Sequence, residues 1–197
     1  MNKVILMIVC MMLISITSTL YAQDDEPVYF ELNGKPLSGK IQYHNAYNIL
    51  SNEVLYEAGY KKGLYKTYYT NGILFSQVNY VQGKREGERK TFYQNGKNKG
   101  SFMYQNDVLE GISKAYDEDG TIEYEKVYQN GVLLTATDFD DYGNVKNIRR
   151  YTDGLIDVWE VYNKRGKLQE KTFYKMNEPY MIEYYKSNGK LDHNIIF

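Results

Sequence analysis

The stretch YYTNG, from Tyr68 to Gly72, recurs as FYQNG from Phe92 to Gly96. The same spacing continues to the C-terminal part of the chain. Its turn glycines follow at steps of 24, 24, 23, 23 and 23 residues: Gly72, Gly96, Gly120, Gly143, Gly166 and Gly189. A fixed period of this length is typical of repeat proteins, in which each repeat is stable only beside its neighbours. The sequence therefore predicts a repeat array, which favours a binding or structural role over catalysis.

Each repeat has the composition of one β-hairpin. Asn-Gly supplies the positive φ angles that tight turns require, and the runs between the turns are rich in Tyr, Val, Ile, Phe and Thr. A second turn lies midway, as in YQNGV at 128–132 and YTDGL at 151–155, which adds Gly131 and Gly154 to the turn glycines. We expect an all-β fold: an elongated, single-layer antiparallel meander of about 14 strands, about 60 Å long at ~4.8 Å between strands.

Aromatic residues recur in two registers of the same period. We interpret both registers as the core of the sheet, because a phenol can cover apolar neighbours while its hydroxyl stays in water. The alternative is a platform on which glycans stack. The predicted core residues are Tyr68, Tyr80, Phe92, Tyr104, Tyr116, Tyr128, Phe139, Tyr151, Tyr162, Tyr174 and Tyr185.

The N-terminal 22 residues have the features of a secretory signal peptide. One lysine precedes an apolar run from Val4 to Ile16, and Ala22 is followed by Gln23 and an acidic stretch. The apolar run is shorter than the ~20 residues that a membrane-spanning helix needs. We therefore expect cleavage after Ala22 and an exported protein that is periplasmic, on the cell surface or secreted.

The rest of the chain divides into a lead-in and the array. We assign residues 23–52 to N-terminal strands that cap the array and residues 53–197 to the hairpin repeats. Cys10 is the only cysteine and leaves with the signal peptide, so disulfides, thiolate zinc sites and cysteine nucleophiles are excluded from the mature chain.

The segment YVQGKREGERKTFYQNG, from Tyr80 to Gly96, resembles the bacterial variant of the MORN repeat, the membrane occupation and recognition nexus. The shared pattern is a tyrosine, a turn glycine, a second glycine four residues later, an aromatic pair and Asn-Gly. The pattern decays after Asp107, where Asp107, Thr135 and Asn177 replace glycines. The resemblance covers about residues 53 to 191. It implies a non-enzymatic repeat protein, and the YwqK-like members of this group are often labelled as antitoxins.

Motifs for catalysis or metal binding are not found in the sequence. Neither His44 nor His193 has the partner spacing of a zinc site or a catalytic triad. When Gly120 or Gly143 is taken as the central glycine of a calcium loop, Lys126 or Arg149 falls on the twelfth position, where a calcium loop needs a carboxylate. We therefore predict no catalytic residue, no metal site and no cofactor, and we read the acidic turns as solvated.

Charge is distributed unevenly along the array. From Tyr60 to Lys99 there are nine Lys and Arg residues against two Glu, a net charge of +7, whereas from Asp107 to Asp141 ten acidic residues face two Lys, a net charge of −8. The position two residues before each aromatic of the register that begins at Tyr68 changes from positive to negative charge along the array. Its residues are Lys66, Lys90, Lys114, Thr137, Glu160 and Glu183. A solvated face is the simplest interpretation. The alternative is that the basic end meets an anionic partner through Lys66, Arg85, Arg89 and Lys90.

Two function classes remain open. The first is an exported scaffold that binds a protein along a sheet face or an exposed edge. The second is a module for anionic lipid head groups or glycans that uses the basic repeats at 60–99 and the exposed aromatics. Nucleic acid is not an expected partner, because the overall charge of the chain is only −1.

Overall fold

A computed structural model describes residues 29–31 and 33–197. The predicted signal peptide lies outside these residues. The described part of the chain contains strands, turns and connections but no helix, and each strand runs antiparallel to its neighbours. The predicted all-β fold of stacked hairpins is therefore confirmed. The described residues divide into two compact units, of which the first ends at residue 86 and the second comprises residues 87–197.

The first unit holds four strands in sequence order. They are β1 (Gly39–His44), β2 (Leu50–Glu57), β3 (Tyr60–Tyr68) and β4 (Leu74–Val81). Its core is formed by Leu37, Val54 and Tyr56, which are 2–3% exposed, and partly buried residues pack against these three: Tyr29, Ile41, Tyr43 and Tyr65.

The second unit is also an antiparallel meander. Its strands are β5 (Lys84–Phe92), which begins within the first unit, β6 (Asn98–Gln105), β7 (Val108–Leu109), β8 (Gly111–Tyr116), β9 (Ile122–Gln129), β10 (Val132–Phe139), β11 (Val145–Thr152), β12 (Leu155–Tyr162), β13 (Leu168–Lys175), β14 (Glu178–Tyr185) and β15 (Leu191–Ile196). Neighbours in sequence are neighbours in the sheet. The exception is the short β7, which pairs with β6 beside β8.

The turn glycines of the 23–24-residue series close five-residue loops. In the loop from Tyr93 to Lys97, the amide of Tyr93 donates to the carbonyl of Lys97, and the amide of Gly96 donates back to the carbonyl of Tyr93. Gly96 has φ +82°, the left-handed conformation that glycine adopts without a steric penalty. All eight predicted turn glycines have positive φ, between 70° and 97°: Gly72, Gly96, Gly120, Gly131, Gly143, Gly154, Gly166 and Gly189.

The turns midway between these loops have two residues, and both have positive φ. Asn130 and Gly131 have φ of 49° and 79°, as in the type I′ hairpin turn. Asp107 and Asn177 occupy the second position with φ of 68° and 66°. Asn and Asp tolerate this conformation better than most residues, which explains how the turns persist where the sequence loses its glycines.

The most buried side chains of the second unit are small or polar. Ser113 and Ala136 are each 1% exposed, whereas the predicted core aromatics are half-buried in both units. The most buried positions of this unit are therefore small or polar, and the register aromatics are partly exposed. The two aromatic registers also lie on opposite faces. Tyr116 and Phe139 of one register directly follow Ala115 and Asp138 in their strands, so they lie on the other face from these two residues. Ala115 and Asp138 both pair with Tyr124, which shares a face with Tyr128 of the other register.

Candidate functional site

The two faces of the second unit differ in character. Residues that are directly paired across strands share a face, so the register assigns each side chain to one side of the sheet. One face carries Ser113, Ala115 and Ala136, and we call it the small-residue face. The other carries a row of mostly polar and charged residues, and we call it the ladder face. That row runs Lys90, Ser101, Lys114, Glu125, Thr137, Ile148, Glu160, Lys171, Glu183 and Asn194.

Opposite charges meet along this row. The Nζ atom of Lys114 lies 3.1 Å from Oε2 of Glu125, and Nζ of Lys171 lies 3.4 Å from Oε1 of Glu160. The change of sign in the sequence series came from reading alternate strands only. The strands in between supply the opposite charge at two places, so the row contains two cross-strand ion pairs, Lys114–Glu125 and Glu160–Lys171.

Glu160 is the most buried carboxylate of the ladder face, with 8% of its side chain exposed. It accepts a hydrogen bond from the Tyr162 hydroxyl at 3.0 Å and lies 2.8 Å from Nη1 of Arg150. Burial acts to raise the pKa of Glu160, but Arg150, Tyr162 and Lys171 together outweigh it and lower that pKa. We call Glu160, Arg150, Tyr162 and Lys171 the Glu160 cluster.

A similar cluster lies in the first unit around Glu53. Its carboxylate lies 2.7 Å from Nζ of Lys40 and 3.5 Å from Nζ of Lys66, and it accepts a hydrogen bond from the Tyr68 hydroxyl at 3.1 Å. Its contact with Lys40, aided by hydrogen bonds from Gln42 and Tyr68, lowers the pKa of Glu53 to about 2. We call these residues the Glu53 cluster. Lys66, a predicted contact for an anionic partner, is thus already paired with a carboxylate.

The other predicted basic contacts are not brought together on one surface. Arg89 and Lys90 are consecutive in β5, pair with Phe102 and Ser101, and therefore lie on opposite faces. Nζ of Lys90 lies 3.2 Å from Oε2 of Glu88, and the Arg89 guanidinium lies 5.9 Å from the Phe102 ring centroid. Arg85 lies near the start of the same strand. The period in the sequence placed these residues in one segment but could not assign their faces.

A mostly apolar row runs beside the charged row on the ladder face. Six of its eight members are apolar, and Thr135 and Arg150 lie between the two apolar parts. The members are paired across eight strands: Ile112, Val127, Thr135, Arg150, Val158, Phe173, Met181 and Ile196. Ile112 is 46% exposed and Ile196 is 72% exposed. The sequence analysis missed this row, although apolar residues at alternate positions in successive strands were a usable signal.

Several predicted core tyrosines bind carboxylates through their hydroxyls. The Tyr185 hydroxyl donates to Glu183 at 2.6 Å, which raises the pKa of Tyr185 to about 12. In the first unit, Tyr80 lies on the face opposite Tyr68. It packs edge-on against Tyr65, with 5.8 Å between the ring centroids. The two registers therefore have different roles, one polar and one packing.

The described residues hold no group of three metal-ligating side chains. The ring of His193 stacks on Tyr184 at 4.7 Å, and its Nδ1 atom lies 3.2 Å from Asp192. In residues 29–31 and 33–197 there is also no helix with the length and apolar character needed to span a membrane.

Four segments of the chain match the MORN repeat variant: residues 61–82, 85–106, 109–130 and 158–176. Such repeats are generally binding modules and typically non-catalytic. The matches cover less than half of the chain. The unmatched stretch 131–157 nevertheless forms β10 and β11 in the same hairpin pattern, and it contains Thr135 where other repeats have glycine.

A comparison with curated proteins found no match. Among solved structures, the chain is similar to TarM and to a S. aureus TarM variant in complex with fondaparinux, alpha-GlcNAc-glycerol and UDP. These are 20% and 19% identical over 44% of this chain and 18% of the TarM chain, with TM-scores of 0.38. A TcdB2–TccC3–Cdc42 complex is 14% identical over 88% of this chain and 12% of that one, with a TM-score of 0.17. At these TM-scores the likenesses support no conclusion about this chain.

Proposed function

We propose that this chain is an exported, non-enzymatic scaffold that binds a protein partner across the ladder face of its second unit. The observation that carries the proposal is the mostly apolar row from Ile112 to Ile196, apolar at six of its eight positions, which runs beside a row that contains two cross-strand ion pairs. Protein interfaces commonly combine an apolar centre with a polar rim. Burying a charge that already has an ion-pair partner in the ladder costs less desolvation free energy than burying an isolated charge.

Export and an immunity-like role belong to the same proposal. Export is supported by the apolar run from Val4 to Ile16 and by the sequence around Ala22. The antitoxin label of the group that the repeats resemble supports a partner that the scaffold neutralises. Intact-mass measurement of periplasmic or secreted material tests export, with an N-terminus at Gln23 as the expected result.

The anionic-surface alternative is disfavoured by the ion pairs of Lys66 and Lys90. Flotation with anionic liposomes separates the two functions. We expect no flotation of the wild type at physiological salt. Flotation that is lost when Lys66, Arg85, Arg89 and Lys90 are all changed to Gln would instead support lipid binding.

The proposed face can be tested by placing a photo-reactive amino acid at single positions. At Ile112 or Ile196, on the ladder face, we expect a cross-link to one protein in cells that produce the chain. Ile195 is the matched control, because it precedes Ile196 in β15, is 43% exposed and lies on the opposite face. Equal cross-linking from Ile195 and Ile196, or none from Ile112, would contradict the proposal.

A further inference from the structure

The five-residue loops of the second unit lie along one side of its sheet, at the strand ends where successive hairpins close. Four of them follow one another from β8 to β15. Consecutive loops are about 10 Å apart, because they are separated by two strand spacings. We call these four loops the loop row: residues 117–121 (DEDGT), 140–144 (DDYGN), 163–167 (NKRGK) and 186–190 (KSNGK).

The charge of the loop row changes sign at its centre. The first two loops carry net charges of −3 and −2, and the last two carry +3 and +2. A row with this order is complementary to itself when it is reversed, because every acidic loop then faces a basic loop. A second copy of the chain presents the reversed row when a twofold axis passes between the second and third loops.

Most charges of the loop row can reach a second molecule. Asp117 and Asp140 accept hydrogen bonds from amides of their own loops, and Nζ of Lys186 lies 3.2 Å from Oδ1 of Asp192. The other charged side chains of the row are exposed, and none has an ion-pair partner within 4 Å among the described residues. They are Glu118, Asp119, Asp141, Lys164, Arg165, Lys167 and Lys190.

The residues in the middle of the four loops are complementary in the same reversed order. They are Asp119, Tyr142, Arg165 and Asn188. Tyr142 is 82% exposed, although the other three are polar or charged. In the reversed row, Tyr142 faces Arg165 of the second copy, a combination that forms cation–π contacts. Asp119 faces Asn188 of the second copy, whose side-chain amide can donate a hydrogen bond to the carboxylate.

We propose that the loop row is a self-association surface through which two copies of the chain form a twofold-symmetric dimer. The twist of the sheet turns the outer loops away from each other, so loops 140–144 and 163–167 make the closest contacts. Because the contact is small and its charges are exposed, the dimer is weak, with a dissociation constant of about 10–100 µM at low salt. The loops lie at the strand ends rather than on either face, so this inference does not rest on the function proposed for the ladder face.

Sedimentation equilibrium of the purified chain between about 5 and 500 µM tests the proposal. In about 50 mM NaCl we expect a reversible monomer–dimer equilibrium, and in about 500 mM NaCl a dimer at least about tenfold weaker, because salt screens exposed charges. A chain that stays monomeric over the whole range overturns the proposal. A dimer that is equally tight at both salt concentrations also overturns it, since an apolar contact on another surface would behave in that way.

A charge reversal with a matched control locates the contact. Arg165→Glu should weaken the dimer at least about tenfold, because in a symmetric dimer the substitution acts at two places. Lys175→Glu makes the same change of charge at the opposite end of β13 and should alter the dissociation constant less than about twofold. Both side chains are exposed, so the melting temperature should be unchanged in both variants.

A mixture of two variants tests the reversed order of the loops. Asp141→Lys alone should also weaken the dimer, because it adds a cation opposite the basic loop 163–167. When chains with Asp141→Lys and chains with Arg165→Glu are mixed, the heterodimer keeps one native pair of loops, and in the other pair the two introduced charges are opposite in sign. The mixture should therefore associate at least about fivefold more tightly than either variant alone. The proposal is overturned if mixing gives no gain, or if Lys175→Glu weakens the dimer as much as Arg165→Glu does.

Discussion

The Glu53 cluster of the first unit and the Glu160 cluster of the second are built from the same parts on different strands. Each has a mostly buried glutamate, a cross-strand lysine at 3.4–3.5 Å, a second cation at 2.7–2.8 Å and a tyrosine hydroxyl at 3.0–3.1 Å. In the first unit, the lysine and tyrosine share β3 and the glutamate is in β2. In the second, the glutamate and tyrosine share β12 and the lysine is in β13.

Glutamate and lysine have therefore exchanged strands between the two clusters while the geometry is kept. This difference shows that the repeat does not specify a particular charge at a particular position. In both clusters, what is kept is that two residues facing each other across neighbouring strands carry opposite charges. Cross-strand pairs are the unit of stability in a sheet, so either arrangement meets the same physical requirement.

The largest effect is expected where this pairing is turned into repulsion. Lys171→Glu would place a carboxylate opposite both Glu160 and Glu183, which are its register neighbours. We expect the free energy of unfolding in urea to fall by about 2–3 kcal/mol, because Glu160 is nearly buried and cannot be fully solvated. Lys171→Met, which keeps the stem and removes the charge, should cost clearly less. Equal losses in the two variants would show that packing alone holds the ladder.

A smaller effect is expected from acid in the Glu53 cluster. The pKa of Glu53 is lowered from 4.5 to about 2, so its ion pairs stabilise the fold above pH 4.5 and are lost as the pH falls through about 2. Glu53→Gln should lower the free energy of unfolding at neutral pH by about 1 kcal/mol, an amount limited by solvent screening. The wild type and the variant should converge between about pH 4.5 and pH 2. Glu160→Gln should also approach the wild type as the pH falls below the ordinary pKa of glutamate, since the pKa of Glu160 is lowered too. A constant difference down to about pH 2 would contradict the role given to these carboxylates.

The smallest effect, and the sharpest test of exchangeability, concerns Lys114 and Glu125. They pair with each other, and their other neighbours in the row are the uncharged Ser101 and Thr137. Lys114→Glu and Glu125→Lys should each cost about 0.5–1 kcal/mol in unfolding free energy. The double variant should return to within about 0.5 kcal/mol of the wild type. A double variant that loses the sum of both single costs would mean that position, rather than pairing, determines the charge.

The turns of the fold were predictable from the sequence because they depend on local backbone chemistry. A residue with positive φ is nearly always Gly, Asn or Asp, so the series through Gly96 and Gly131 could be followed without knowing any long-range contact. The same rule explains Asp107 and Asn177. Stepping back 24 residues from Gly72 would also have reached Asn48, which has φ 60° in an equivalent loop closed by Asn45 and Ile49.

The face on which each side chain lies and the pairing of charges could not be predicted from the period of the turns. Strands of this sheet contain irregularities, such as the register shift between Thr91 and Phe92, and each shift changes which residues face each other. Counting alternate strands therefore gave a run of charges without its partners. Arg89 and Lys90 were grouped because they are adjacent in sequence, and adjacency in a strand separates side chains onto opposite faces.

The most buried residues of the second unit are small side chains such as Ala136 and Ser113, each 1% exposed. The register tyrosines, which we expect to cover apolar neighbours while their hydroxyls stay in water, are half-buried there. Small residues give no signal in a search for apolar periodicity, so these most buried positions could not be read from the sequence.

The hydrogen bonds between successive two-residue turns bear on how the array comes apart. The amide of Gly83 donates to the carbonyl of Lys61, and the amide of Gly131 donates to the carbonyl of Leu109, so these two turns are each joined to the strand that follows the turn one repeat earlier. Contacts in this fold join strands that are close in sequence, a topology that favours rapid folding. Amide protons in the middle of each unit should exchange with solvent only after the strands beyond them have opened. Loss of structure would then proceed inward from an end, one hairpin at a time, rather than in a single step.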